Sequence, residues 1–417
     1  MDVHKHSIVV CVVDRRGRVL GRHHVHCSRE QLLVFAKTVL KRSDEVALEA
    51  TTNTWPVVEL LRPYVKRLVI GNPLKTKAIA EAKIKTDKVD AHVLAQLLRC
   101  DYLPEVWQPD VKTQRQRSLI THRTGLMTRR GQHKNRVQSL LGRLMIKSPH
   151  KYLWSKAGIA WLRSLDLCST DRLMLESELR QLDQVERELK MVDGQLIEIA
   201  RQEPRVRLLM TLPGVNYVVA IGLLAALGEI GRFRDGNHAA SYLGLVPSTK
   251  QSGNKCFHGR ITKAGNPQSR WLLTQACQHV ARHAGPLGAF YRRLAKRKPR
   301  QVVIMALARK LVTIAYLMLK NNEPYRYAQP KLIAKKFTSL GKKARTERPG
   351  SNVSLTAKAR DGLAAVYTQL GVTTIQKPEE LSDGEQRMLR NNEVMDFVEE
   401  LYTPSSPPKP AAPVKKK

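Results

Sequence analysis

Lys85-Thr86-Asp87-Lys88-Val89-Asp90-Ala91-His92-Val93-Leu94-Ala95-Gln96-Leu97-Leu98-Arg99 is the stretch around which the chain is organised. Val89, Val93 and Leu97 recur at helical spacing with Leu94 and Leu98, which predicts an amphipathic helix. Thr86 or Asp87 is its candidate N-cap. Asp87 and Asp90 then share one face, about 5–6 Å apart at Cβ. Two carboxylates that close repel unless a cation lies between them, and Mg²⁺ accepts carboxylate oxygens while keeping sites for water and phosphate. The plain alternative is an acidic first turn facing the helix dipole.

Working outward, Ser7–Val13 is a β-branched run followed by a turn at Asp14-Arg15-Arg16-Gly17 and a second run from Val19 to Val25. This predicts two strands joined as a hairpin. Val46–Thr51 and Arg67–Pro73 predict two more strands, the first containing Glu49. Asp2-Val3-His4-Lys5 stands directly before the first run. The chain thus offers strands bearing Asp2 and Glu49 and a helix bearing Asp87 and Asp90.

The ordered set Asp2-Val3-His4-Lys5, Glu49-Ala50-Thr51 and Lys85-Thr86-Asp87-Lys88-Val89-Asp90-Ala91 resembles the DEDD transposases of bacterial insertion sequences, groups 110 and 1111, which include the Piv-type DNA invertases. A second block, from Leu212-Pro213-Gly214-Val215 to Gly265-Asn266, resembles the same family's C-terminal transposase domain, so the likeness covers roughly residues 1–320. The resemblance implies an α/β N-terminal domain of the RuvC-like, ribonuclease-H-like fold. In it Asp2, Glu49, Asp87 and Asp90 would ligate two Mg²⁺ ions, with Mn²⁺ able to substitute. It also implies that Ser252, before Gly253, is a nucleophile, that a structured RNA guides the enzyme to DNA, and that the protein is bacterial and nucleoid-associated. The chain departs from the family in having only Met1 before Asp2.

Net charge is +36, from 72 basic and 36 acidic residues over 417 positions. Such an excess has no use in a core and points to phosphate backbones. No apolar run approaches the roughly 20 residues of a membrane span, and the most apolar stretch, Val218–Leu227, is half that. No signal peptide opens the chain. The six cysteines show no paired spacing and read as reduced thiols of a cytoplasmic protein.

Four segments follow. Residues 1–110 form the α/β domain; Lys5 and Lys88 beside its acids are candidate phosphate contacts, and Asn72–Lys77 reads as a basic loop at a strand end. Residues 111–204 hold a long basic helix to about Met145, with no acid between Asp110 and Asp166. Its one-sided charge makes Arg123, Arg130, Lys134 and Arg136 candidate nucleic-acid contacts, against the alternative of a solvated face. A heptad seam follows, with Leu175, Leu182, Leu189 and Leu196 every seven residues and Val185, Val192 and Ile199 three further on. This coiled-coil segment pairs either with the basic helix or with a second copy.

Residues 205–322 predict a mainly α domain. Thr211–Val215, followed by the apolar helix, resembles a helix-hairpin-helix, in which the turn at Gly214 presents backbone N–H groups to a phosphate. From Ala240 to Asn266 runs a glycine-punctuated basic loop with Lys250, Lys255, Arg260 and Lys263, its glycines allowing close approach to phosphates. A Ser-Gly in a loop is ordinarily a turn; the resemblance singles out Ser252, with Ser248 and Ser241 as substitutes. Trp271–Arg282 and Arg300–Leu319 predict helices, the second a core element. Residues 323–417 form a basic extension with short helices at 361–370 and 391–401 and a disordered Pro- and Lys-rich tail.

The leading reading is a DNA transposase or recombinase acting on donor and target DNA, with a guide RNA, implied by the resemblance, and further copies of itself as expected partners. A RuvC-like junction nuclease acting by hydrolysis and a non-catalytic nucleic-acid-binding protein are the alternatives. Membrane association is not expected.

Overall fold

The computed structural model describes residues 1–79, 86–252, 255–283 and 285–328, together with Leu332, Ile333, Lys336, Ser339 and Leu340. The expected helices at 361–370 and 391–401 and the tail lie outside the described residues. The chain divides into two compact units, Met1–Asp110 and Val111–Lys417.

In the first unit β1 (Asp2–Val3), β2 (Ser7–Val13) and β3 (Val19–His26) form an antiparallel sheet in that order. The β2–β3 turn is fixed by Asp14, whose Oδ1 accepts from the amides of Arg16 and Arg18, both at 2.8 Å. Helix α1 (Arg29–Thr38) precedes β4 (Glu45–Glu49), and α2 (Thr54–Leu61) precedes β5 (Arg67–Gly71). β4 and β5 pair in parallel, with Glu49 opposite Gly71. Helices α3 (Pro73–Ile79) and α4 (Asp87–Arg99) complete the unit.

Strand alternation sorts the apolar side chains into two layers. Ile8, Val10, Leu48 and Ile70 pack with Leu32 and Phe35 of α1 and with Val57 and Leu61 of α2. Val9 and Cys11 meet Ala91 of α4, and Ala47 and Val69 meet Leu94. The helix bearing Asp87 and Asp90 therefore lies on one face of the strands, and α1 and α2 on the other. One expectation fails here: the basic loop at Asn72–Lys77 is mostly helix. Asn72 Oδ1 accepts from the amides of Leu74 and Lys75, and Pro73 opens α3 where its missing N–H costs nothing.

The second unit begins with α5 (Val111–Arg143), about 50 Å long at the usual rise per residue. After α6 (Lys156–Ser164), α7 (Ser169–Gln202) returns antiparallel to α5. A ladder of ion pairs establishes the direction: Lys112–Glu203, Arg123–Asp193, Lys134–Glu186, Arg136–Glu178 and Arg143–Asp171. Leu175, Leu182, Leu189, Leu196, Val185 and Val192 are all buried. The heptad seam thus closes within the chain, resolving the choice left by the sequence.

Short helices follow: α8 (Pro204–Met210), α9 (Tyr217–Leu227), buried along its whole length, and α10 (Gly236–Tyr242). Strands β6 (Pro247–Ser252) and β7 (Lys255–Ile261) form an antiparallel pair, and α11 (Pro267–Val280), α12 (Pro286–Ala295) and α13 (Arg300–Asn321) close the core. Helix α13 corrects the statement that no apolar run nears membrane-spanning length, since its 22 residues meet that test by length and composition. Its Val303, Leu307, Leu311 and Ala315 are nevertheless wholly buried in the unit's core. Residues beyond 322 also join that core: the Tyr325 amide donates to Thr211 Oγ1 at 2.9 Å, and Lys336 Nζ donates to Met210 O at 2.7 Å.

Glu203 at the α7–α8 junction accepts from Arg205 at 2.8 Å and Lys112 at 3.2 Å. The Arg205 hydrogen bond, aided by Lys112, holds its carboxyl down at about 2, against an ordinary 4.5. A depressed carboxyl stabilises the fold above the unfolded value and ceases to do so as pH falls from 4.5 towards 2. Glu203→Gln should therefore lower unfolding stability by about 1–3 kcal/mol at pH 7. The difference from wild type should vanish near pH 2 in denaturant titrations; a gap that persists there would refute the account.

Candidate functional site

Thr86 caps α4: its Oγ1 accepts from the Val89 amide at 3.3 Å, setting Asp87 and Asp90 in the first turn. Asp2 lies on β1 opposite Val9, with its side chain 12% exposed. Because α4 packs across the strands, its first turn comes to the end of β1. His4 Nε2 stands 3.0 Å from Asp2 Oδ2 and 3.4 Å from Asp87 Oδ2. Asp2, His4 and Asp87 each offer a ligand atom within 4.8 Å of the others.

Burial pushes the Asp2 carboxyl above its ordinary range; His4 opposes that rise, and the negative charges of Asp87 and Asp90 add to it. Asp90 therefore belongs to the same electrostatic cluster. Glu49, at the end of β4, acts on the Met1 amine, as Asp2 does. That amine donates to Ala47 O at 2.8 Å, which ties β1 to β4. Among the described residues, Asp2, His4 and Asp87 are the group whose ligand atoms come together, and neither Glu49 nor Asp90 is part of it. His4 is the residue that the sequence reading missed. Its signal was the spacing of two from Asp2, which in an extended backbone turns both side chains to one face.

The donors suit a hard divalent cation: carboxylate oxygens with one imidazole, crowded enough that burial and like charge already resist ionisation of Asp2. Lys5 and Lys88 are exposed next to these acids in the chain.

Residues 1–146 match the family model of DEDD transposases of the IS110 type, and residues 206–292 match that of the transposase IS116/IS110/IS902 family. Together they cover more than half of the chain. The transposase for insertion sequence element IS1111A of Coxiella burnetii is 23% identical over 343 residues, covering 78% of this chain and 90% of the relative. The pilin gene-inverting protein of Moraxella bovis is 28% identical over 286 residues, 67% of this chain and 80% of the relative. The transposase for IS1533 of Leptospira borgpetersenii is 24% identical over 344 residues, 78% and 96% respectively. The chain belongs to the IS110 family of DEDD transposases.

The transposase carries Ser252 on the second unit, where the structure departs from the expected loop. Residues 247–252 and 255–261 are strands, and every residue from Ser248 to Ser252 is exposed. Their polar composition hides the usual strand pattern, because neither face is buried. Cross-strand partners share a face, so Ser252 lies with Lys255, Lys250 and Phe257, whereas His258 is paired with Thr249 on the other face. Lys250, Lys255, Arg260 and Lys263 are all exposed.

The glycines flanking this hairpin have a packing role of their own. A Cβ on Gly244 would meet Ala264 O at 2.3 Å, and one on Gly265 would meet Tyr242 O at 2.3 Å. Gly214 (φ +72°) likewise lies against Ala276 O, at 2.4 Å from where its Cβ would be, so its missing side chain lets α11 come close. Arg270, also missed, donates to the carbonyls of Leu243, Ala264 and Gly265 and fastens the hairpin base.

Three of the proposed phosphate contacts on α5 are engaged with α7. Arg123 grips Asp193 through two bonds of 2.7 and 3.3 Å, Lys134 reaches Glu186 at 3.8 Å, and Arg136 reaches Glu178 at 3.3 Å. Arg130 is half-exposed on the same helix. Their acidic partners lie 42 to 70 residues away in the chain for Arg136 and Arg123, out of reach of a local charge count.

Two outcomes test this arrangement. Millimolar Mn²⁺ or Mg²⁺ should raise the melting temperature of the wild-type transposase, and Asp2→Asn or Asp87→Asn should abolish that rise. An unchanged rise in both variants would remove these residues from the metal site. Arg123→Met should cost about 1–3 kcal/mol of stability yet leave the salt dependence of DNA binding unchanged. Lys250→Ala with Lys255→Ala should instead flatten the slope of log K against log salt by about 2.

Proposed function

We propose that this transposase cleaves and rejoins the DNA strands of an insertion sequence through Asp2, Glu49, Asp87 and Asp90 as cation ligands and Ser252 as nucleophile. The observation that carries the reading is the convergence of Asp2, His4 and Asp87, with Asp90 adding its charge to the same cluster. The strand arrangement supports a RuvC-like fold for the first unit: β3, β2 and β1 in sequence, with the Met1–Ala47 hydrogen bond setting β4 and β5 beyond β1. The buried heptad positions of α7 support a coiled-coil reading of its pairing with α5.

In this mechanism the four carboxylates would hold Mg²⁺, or Mn²⁺ in its place. When bound, the metal supplies Lewis acidity at a phosphodiester and lowers the pKa of the attacking hydroxyl. Ser252 Oγ loses its proton and attacks phosphorus; a Ser–O–P bond forms as the bond to the leaving deoxyribose oxygen breaks, and that oxygen takes up a proton. The hydroxyl of another strand then attacks the same phosphorus, which restores the serine and joins the DNA. Lys250 and Lys255, on the face of Ser252, balance the phosphate charge. Serine and carboxylates belong to different units, so the chemistry requires both at one phosphodiester, within a protomer or across a homo-oligomer. A structured RNA that selects the DNA sites completes the proposal, with the charge excess suited to either nucleic acid.

Hydrolysis is the second reading, favoured by His4, which stands where it could accept a proton from water beside the carboxylates. Denaturing electrophoresis of the protein incubated with labelled DNA and Mg²⁺ separates the two. Wild type should retain label covalently, Ser252→Ala should retain none and recombine no DNA, and Asp90→Ala should bind DNA within about threefold of wild type while cleaving nothing. Strand cleavage at normal rate by Ser252→Ala would establish hydrolysis in its place.

A further inference from the structure

The second unit holds a groove of about 810 Å³ between the base of the β6–β7 hairpin and α13. Its floor is apolar: Leu245, Ile261, Phe290, Val302, Met305 and Ala306. Helix α13 supplies three of these from the face opposite its buried one, so the helix carries apolar side chains on both sides. Arg260, Lys263, Arg309 and Lys310 stand around the floor, and among the described residues no acidic side chain lines the groove. Arg309 is held at the edge by a 3.1 Å hydrogen bond to Asn237 Oδ1.

The combination selects a ligand with both a flat apolar part and regularly spaced negative charge. Duplex DNA offers only the charge at its surface, because its bases are stacked inside. An unpaired strand offers both: its bases can lie on an apolar or aromatic floor while its phosphates meet the cations. The volume falls within the roughly 300–1,000 Å³ usual for sites that enclose small molecules, room enough for an unstacked base. The groove and the proposed nucleophile share one strand. Pro247 at the groove and Ser252 are the two ends of β6, about 17 Å apart along the strand. Between them, on the face of Ser252, lie Lys250 and the exposed ring of Phe257.

We propose that this groove binds unpaired nucleotides of the DNA strand being cut, a few nucleotides from the bond at Ser252. The identity of the occupant as DNA rests on the serine reading above; the preference for an unpaired strand rests on the groove alone. Strand exchange must expose unpaired bases, and a floor that shelters them would keep the opened strand from re-pairing before it is joined.

The test uses the full-length protein and fluorescence anisotropy with labelled (dT)12, (rU)12 and a 24-base-pair duplex at about 0.5 M NaCl, where backbone attraction is weakened and base stacking is not. Met305→Glu should weaken (dT)12 binding by about tenfold and duplex binding by less than twofold, in keeping with the loss of one stacked base. Val302→Ser, at an exposed position, should act in the same direction with the melting temperature unchanged, which guards against misfolding of the first variant. A (dT)12 carrying 4-thiothymidine should crosslink to residues 301–309. Equal loss for duplex and single strand, no loss in either variant, or crosslinks confined elsewhere would overturn the proposal. So would stronger binding of (rU)12, which would assign the groove to RNA, or a shift of the variants to monomer in size-exclusion chromatography without change in (dT)12 binding. The covalent-adduct assay reads Ser252 separately: an absent adduct with intact (dT)12 selectivity would refute the serine reading and leave the groove in place.

Discussion

Repulsion among carboxylates is the constraint on which the first unit turns. Burial first, and after it the negative charges of Asp87 and Asp90, raises the proton affinity of Asp2, although His4 works against that. Nothing in the chemistry of three acids would bring them together. They are held by apolar burial elsewhere: Ala91 and Leu94 of α4 are buried against Val9, Cys11, Ala47 and Val69. The helix docks through its middle, and its acidic first turn arrives at β1 as a consequence. A site so assembled draws its energy from the core beneath it, and a divalent ion would offset the negative charge gathered beside Asp2.

Much of this was legible because it rests on local periodicity. The α4 stripe, the β2 and β3 runs and the heptad leucines of α7 each repeat at a period that only one element type satisfies. Two features could not be read that way. Strands β6 and β7 have no buried face, so their residues carry no alternation, and glycines and lysines gave the segment the look of a loop. The lysines and arginines of α5 present the opposite problem. Their local charge is wholly one-sided, but α7 returns beside them with acids at matching heights, so three of the expected phosphate contacts also pair within the chain. Long-range pairing is absent from any window of sequence short enough to scan. His4 was visible in the motif but not in its role, since its partnership with Asp87 depends on how α4 docks.

The second unit uses the same economy of surfaces. Gly214, Gly244 and Gly265 let backbone segments touch at distances that a side chain would forbid, so the Ser252 hairpin emerges from a tightly built base. Arg270 reinforces that base by satisfying three carbonyls. The hairpin itself is exposed on both faces. Rigid footing beneath exposed strands is a suitable arrangement for a nucleophile that has to reach a large polymeric substrate.

The two-residue length of β1 has a consequence of its own. Asp2 faces Val9 and Val3 faces Ile8, and along a strand neighbouring side chains point to opposite sides. Sliding β1 by a single position would turn the carboxylate of Asp2 into the layer of Ile8, Leu32 and Phe35 and send Val3 outward. So short a strand has few hydrogen bonds with which to resist such an error. The resistance comes instead from the chemical mismatch of its two side chains, an ionisable group and an isopropyl group that cannot exchange surroundings. In this corner of the molecule, polarity acts as the ruler that measures register.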